Sequence, residues 1–375
     1  MAEINGFTTD KFAGLAAILE RNLENGDDVG ASVTVIHRGE VVCDIWGGYV
    51  DGEKTQPWER DTLVNVWSTT KTMTFLVALL LCDRGELDYD APVARYWPEF
   101  AANGKDDILV RHVFSHSAGL SGFEGMSDPE GLADWEFSTG LLAAQRPWWD
   151  DRTLSGYHAV SQGHLIGEIV RRITGTTIGS FFQSEVADVL GADFHIGLSE
   201  ADETRVSLVI PPPNLDFDQL PKDSMAFRTY TSPLLDATAP HHRWWRAAEI
   251  PAANGHGNAR SVARVQQIIA NNGHAEGHRF FNERTGDRIF EVQTSGMDQV
   301  LGMNVNYGLG YGLASPDNQM GPRSCYWGGF GGSVIIMDQD LGLTVAYMMN
   351  KMQVGVVGDL RGPEFAINAA MAALS

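Results

Sequence analysis

Hydrophobic positions change their spacing several times along the chain, and each spacing predicts an element. From Thr9 to Asn22, the residues Phe12, Leu15, Ala16 and Leu19 recur at the interval of one helix face, behind a threonine-rich start that predicts a cap. The stretch "ASVTVIHRGEVVCDIWGGYV" alternates on both sides of Arg38-Gly39 and predicts a hairpin. Toward the other end, "GGSVIIMDQDLGLTVAYMMNKM" predicts two strands joined over Asp338 to Gly342, and Pro363 to Leu374 a closing helix. Between these ends, roughly from Asp83 to Ile269, helical segments such as "SQGHLIGEIVRRITG" and "NARSVARVQQIIANNG" alternate with loops rich in Pro, Gly and Asp. Strands from the two termini must pair to cover their edges. The predicted fold class is therefore α/β (α+β): an antiparallel sheet from both chain ends, residues 1–82 and 270–375, flanked by helices, with a mostly helical inserted region over 83–269.

One apolar run carries chemistry at its start. In "NVWSTTKTMTFLVALLLCDRG" eight apolar residues, Phe75 to Cys82, follow a lysine placed three residues after a serine. On a helix beginning near Ser68, Ser68 and Lys71 share a face, with Cβ atoms about 5–6 Å apart. A serine hydroxyl needs a base to attack at neutral pH, and a lysine can be that base once burial lowers its pKa. The bland alternative is a capping serine beside a solvated lysine.

Composition narrows the class. The chain has 375 residues, 43% of them hydrophobic, which supplies core for one large composite domain or two ordinary ones. Its formal charge of −21 opposes binding to nucleic acid or to anionic membrane surfaces. The first residues lack a basic segment followed by an apolar one, and no apolar run approaches the roughly 20 residues that span a bilayer. A cytoplasmic protein is expected. Cys43, Cys82 and Cys325 are too far apart for a zinc site or a disulfide framework. His112 and His116 have the i,i+4 spacing of metal ligands but no nearby carboxylate to complete a set, so hydrogen bonding is the expectation and no metal or cofactor is expected. "GLGYGL" (Gly308 to Leu313) reads as a bulged strand rather than a phosphate loop, and "HAEGH" (His274 to His278) as a polar loop. The nucleophile elbow G-x-S-x-G and the zinc motif H-E-x-x-H are both absent.

Further motifs follow the S-x-x-K element in order. Tyr157 lies in a turn just before a helical pattern, and Trp327-Gly328-Gly329 begins a strand in "SCYWGGFGGSVIIMD". With "VRHVFSHSAGL", "DFHIGL" and "NGHGNARSVARV", these resemble the β-lactamase and penicillin-binding-protein superfamily, specifically the class C-like carboxylesterases called family VIII. The resemblance runs from about Ala31 to Asn350. It implies a β-lactamase/DD-peptidase-like fold with the active site between the sheet and the inserted region. It further implies Ser68 as acylated nucleophile, Lys71 as its base, Tyr157 as proton relay, and the N–H groups of Ser68 and Phe330 as oxyanion hole. Two departures bear on substrate. Ala159 stands where the family's Y-x-N asparagine would be, and Trp327 replaces the K-T-G lysine, so two anchors for a carboxylate-bearing lactam are lost. The expected substrate is a small neutral ester or lactone, apolar or aromatic, with Trp327, Gly328, Gly329, Trp148, Trp149 and Trp244 along the pocket. A β-lactamase, a D-aminopeptidase, an acyltransferase and a non-catalytic binding protein remain open. So does the oligomeric state, a homo-oligomer included.

Overall fold

A computed structural model describes residues 3–212 and 217–375. Its main element is a nine-stranded antiparallel sheet in the order Ile4–Thr8, Glu40–Gly48, Gly30–His37, Leu343–Met349, Val334–Asp338, Ser324–Gly328, Gly312–Leu313, Asn304–Tyr307 and Thr294–Met297. The two chain ends meet at its centre, where Val345 pairs with Val35 and Tyr347 with Val33. The first hairpin turns at Arg38 and Gly39, both at positive φ (52° and 82°), the conformation a two-residue turn needs to match strand twist.

The helix Ala259–Ala270 covers one face of this sheet, its start fixed by Asn258, which accepts the N–H of Ser261. The helices Gly14–Asn25 and Arg361–Leu374 cover the other. At the N-terminus Thr9 makes no capping bond; a short 3₁₀ turn, Asp10–Phe12, leads into the helix instead. The helix Lys71–Asp83 is buried on every side from Lys71 to Leu81, which explains a run with no polar face. It packs against Ser161–Thr174, a helix closed by Gly175 at φ 75°. A second, three-stranded sheet joins Val206–Ser207, Leu63–Asn65 and His256–Gly257 just before Ser68.

Two local readings change. His274–Ala275 and His278–Arg279 form a small hairpin rather than a loop, turning on Glu276 and Gly277 at φ 48° and 82°. Strands of two residues carry no alternation for a sequence to display. Within "GLGYGL", Gly308 to Tyr311 form a tight turn, and the strand is only Gly312–Leu313.

Candidate active site

Ser68 sits in a 3₁₀ turn, Trp67–Thr70, that runs directly into the helix beginning at Lys71. Trp67 holds φ at +46°, a conformation a bulky residue keeps only when its surroundings enforce it. The enforcing contacts are specific. Thr70 Oγ1 donates to the Trp67 carbonyl at 2.5 Å and accepts the Gly255 N–H at 2.8 Å, while the Val66 N–H reaches the Gly255 carbonyl at 2.9 Å. The Trp67 ring is wedged between Trp245 and Phe330, with centroids 5.4 and 5.3 Å away.

Three side chains predicted from the sequence meet at one atom. Lys71 Nζ lies 3.0 Å from Ser68 Oγ, and Tyr157 Oη donates to the same oxygen at 2.6 Å. Lys71 Nζ also donates to the carbonyls of Ala159 (2.7 Å) and Ala252 (2.9 Å). Two carbonyls use both N–H bonds of a neutral amine and leave its lone pair for the serine hydroxyl. Complete burial draws the Lys71 amine well below its ordinary pKa. Burial likewise pushes the Tyr157 phenol up; its bond to Ser68 opposes this, as does the Trp327 indole N–H from just outside hydrogen-bonding geometry. Burial thus disfavours the charged form of both groups, and the amine and the phenol stand on either side of Ser68 Oγ within hydrogen-bonding distance.

Tyr157 is braced from behind by Asp298 and His158, which the sequence did not reveal, and by His116, for which hydrogen bonding was the expectation. Its N–H donates to Asp298 Oδ1 at 3.0 Å, and Tyr307 donates to Asp298 Oδ2 at 3.0 Å. The His116 ring meets Tyr157 edge-on at 5.1 Å. His116 Nδ1 accepts the His158 N–H at 3.0 Å, and His158 Nε2 accepts the Leu120 N–H at 3.1 Å. Burial lowers the pKa of both imidazoles, that of His158 to about 3, so both are neutral acceptors. His112 Nδ1 accepts the Leu109 N–H at 3.1 Å. The i,i+4 histidines therefore fasten backbone, and no cluster of three metal-ligating side chains forms among the described residues.

Opposite Ser68 lies the turn after the Ser324–Gly328 strand. Among the described residues no acceptor meets the N–H of Ser68 or of Phe330, and both residues line one cavity. The turn is pinned from outside: Gly331 O accepts the Gln353 N–H at 2.9 Å and Arg361 Nη2 at 2.8 Å, while the Gly331 N–H reaches the Gly355 carbonyl at 2.9 Å. Arg361 is itself held by buried Asp28, with Nη1 2.6 Å from Oδ1.

The cavity, about 80 Å³, is lined by Ser68, Tyr157, Trp67, Ala159, Val160, Phe217, Thr229, Tyr230, Pro233, Leu235, Ala253, Phe330 and Val356. The aromatic expectations need correction here. Trp327 is 1% exposed and stands behind Tyr157, ring centroids 5.6 Å apart, so it supports the tyrosine instead of forming a wall. Gly328 and Gly329 are also absent from the lining. A Cβ on Gly329 would lie 2.3 Å from the Val66 carbonyl and one on Gly328 2.4 Å from that of Val357, so these glycines admit protein backbone, not substrate. Trp148 lies under the Arg228 guanidinium, 4.1 Å from its ring centroid. Trp149 packs on His158, and Trp244 on Trp245. None of these three lines the cavity. Phe217, Tyr230, Leu235 and Val356 do, and no periodicity in the sequence singled them out.

With this geometry in view, comparison with known proteins is informative. The Beta-lactamase family model matches residues 15–363, and the chain belongs to that family. A protein of Mycobacterium tuberculosis, Esterase/beta-lactamase LipL, is 35% identical over 86% of this chain and 77% of its own length. Esterase EstB of Burkholderia gladioli is 26% identical over 93% of this chain and 92% of its own length. Among solved structures, a family VIII carboxylesterase superposes with a TM-score of 0.92 at 36% identity, covering 99% of this chain and 100% of the other. The expected fold class holds, with its large antiparallel sheet and flanking helices.

Proposed function

We propose that this protein is a serine hydrolase that cleaves carboxylic esters of small neutral acids and alcohols through an acyl-enzyme on Ser68. The observation that carries the reading is the convergence of Lys71 Nζ and Tyr157 Oη on Ser68 Oγ, at 3.0 and 2.6 Å. The family membership, the esterase names of the two relatives and the superposition on a family VIII carboxylesterase support it.

In the first step Ser68 Oγ forms a bond to the ester carbonyl carbon as its proton passes to Lys71. The N–H groups of Ser68 and Phe330 hold the resulting oxyanion, a contribution of roughly 3–4 kcal/mol for one such donor. Tyr157 gives its proton to the departing alkoxide and regains one from Lys71. Water then attacks the acyl-enzyme by the reverse route, with the Lys71/Tyr157 pair as base. The lining favours neutral groups: no charged side chain stands among the described lining residues, so a lactam or peptide carboxylate finds no cation there. Lactones open by the same chemistry. No helix of the described residues is long and apolar enough to cross a membrane; a cytoplasmic location remains our proposal.

A fluorophosphonate probe followed by peptide mapping tests the assignment. Labelling at Ser68, suppressed by a short-chain p-nitrophenyl ester, is expected; labelling at another serine refutes it.

A further inference from the structure

The two N–H groups that would hold the oxyanion sit on different turns, and each turn is anchored away from the other. The turn bearing Ser68 is tied to Gly255 through Val66 and Thr70, and the turn bearing Phe330 to Gly355, Gln353 and Arg361. None of these bonds sets the distance between the two donors. An oxyanion needs both N–H groups within about 2.7–3.1 Å of one oxygen, so that distance matters to a few tenths of an ångström.

Ser333 supplies the missing tie. Its carbonyl closes the Phe330 turn by accepting the Gly329 N–H at 2.7 Å. Its side chain leaves that turn: Oγ lies 2.7 Å from the Val66 carbonyl oxygen and 3.1 Å from Thr69 Oγ1, on either side of Trp67 and Ser68. A carbonyl only accepts, so the Ser333 hydroxyl gives its one proton to Val66, and in the second bond the Thr69 hydroxyl donates to Ser333 Oγ. The pair grips the Ser68 turn before and after the nucleophile. Among the described residues these are the hydrogen bonds that join the two turns. Ser333 is 2% exposed and Thr69 is fully buried, so water does not compete for either hydroxyl. A Cβ on Gly329 would meet the Ser333 hydroxyl and lie 3.2 Å from the Ser68 nitrogen, so the turns touch where the N–H pair is assembled.

We infer that Ser333 is a positioning residue whose hydroxyl sets the separation of the Ser68 and Phe330 N–H groups, and with it the stabilisation of the tetrahedral intermediate. This rests on the reading of Ser68 as an esterase nucleophile. Lys71 and Tyr157 reach Ser68 Oγ from other elements and make no bond to Ser333, so proton transfer does not depend on it.

A trifluoromethyl ketone with a pentyl chain, and the alcohol made by reducing it, separate the two roles. Ser68 Oγ adds to the carbonyl carbon of the ketone as its proton passes to Lys71, which places an oxyanion against the N–H pair; the alcohol has no carbonyl to attack. Ser333→Ala is expected to lower kcat/KM for p-nitrophenyl butyrate about ten- to a hundredfold, less than the loss of a whole donor, and to weaken the ketone by a similar factor. The inhibition constant of the alcohol and the rising limb of the pH profile should stay in place. Thr69→Val keeps the side-chain shape, removes the second bond and should show the same pattern at about two- to tenfold. A folded Ser333→Ala whose kcat/KM stays within about twofold of wild type overturns the inference, as does equal weakening of ketone and alcohol, which marks a general loss of structure. If Ser333→Ala fails to fold, Thr69→Val decides, and ketone inhibition unchanged in that variant overturns the inference. Wild-type hydrolysis with Ser68 labelled leaves the esterase reading standing in each of these cases. A wild type that neither cleaves the ester nor is labelled at Ser68 removes that reading and this inference together.

Discussion

On one side of the cavity Ser68, Lys71 and Tyr157 are tied to residues far away in sequence: Lys71 to the carbonyls of Ala159 and Ala252, Tyr157 to Asp298. On the other side Phe217, Tyr230, Pro233 and Leu235 come from a segment whose backbone bonds are mostly local, such as Leu220 N–H to Phe217 O and Thr231 N–H to Phe227 O. Among the described residues its backbone link outward is the Phe123 N–H to Ser232 O bond, 2.9 Å. Long-range bonds fix a reacting constellation to fractions of an ångström, as bond-making requires. Local bonds let a segment change its residues without disturbing that constellation. We therefore propose that the first side holds the chemistry and the second the selectivity.

Substitutions can break or sharpen this contrast. Ser68→Ala should lose about 10⁴-fold or more in kcat on a p-nitrophenyl ester with its melting temperature nearly kept, since the nucleophile has no substitute; steady-state rates and a thermal scan decide it. Lys71→Met should cost on the order of 10²–10⁴-fold, the range of general base catalysis. The pH dependence has a definite sign. Lys71 acts as base only when neutral, so wild-type kcat/KM should rise with pH through its lowered pKa, a limb missing from the residual activity of Lys71→Met. Stability shares that sign: between the folded and unfolded pKa values of Lys71 the unfolded chain binds the extra proton, so wild-type stability relative to Lys71→Met increases as pH rises and is lost as pH falls.

Arg361→Met should destabilise the protein by about 3–5 kcal/mol, because it leaves the buried Asp28 carboxylate unpaired. Urea unfolding measures this, and a loss below about 1 kcal/mol would show that the turn bearing Phe330 is held by other means. The smallest effect belongs to the local side. Leu235→Ala should change the kcat/KM ratio of octanoate to butyrate esters by about tenfold, the scale of apolar pocket contacts, without moving the pH profile. A change in the profile would mean that the two sides are not separable.

The same contrast governs what could be read in advance. Ser68 and Lys71 were legible because helical spacing places them together, and the central strands because their apolar, β-branched runs are long enough to stand out. Tyr157 and the N–H pair came from motif order, not from spacing alone. The tryptophans went astray for a physical reason: an indole's large apolar surface makes it equally suited to a pocket wall and to the core, and Trp327 went to the core. Asp298 and His158 act through backbone N–H groups, which no side-chain pattern announces, whereas the hydrogen bonding of His116 was expected. Tyr230 and Val356 lie where the sequence has no period at all.

Arg361 has one more implication, set by the direction of protein synthesis. Ser68, Lys71 and Tyr157 all precede Arg361 in the chain, so they are made before the guanidinium that grips the Gly331 carbonyl. Until Arg361 leaves the ribosome, a growing chain holds these three side chains without the clamp on the turn that bears Phe330, and stalled chains ending before Arg361 should leave an ester untouched.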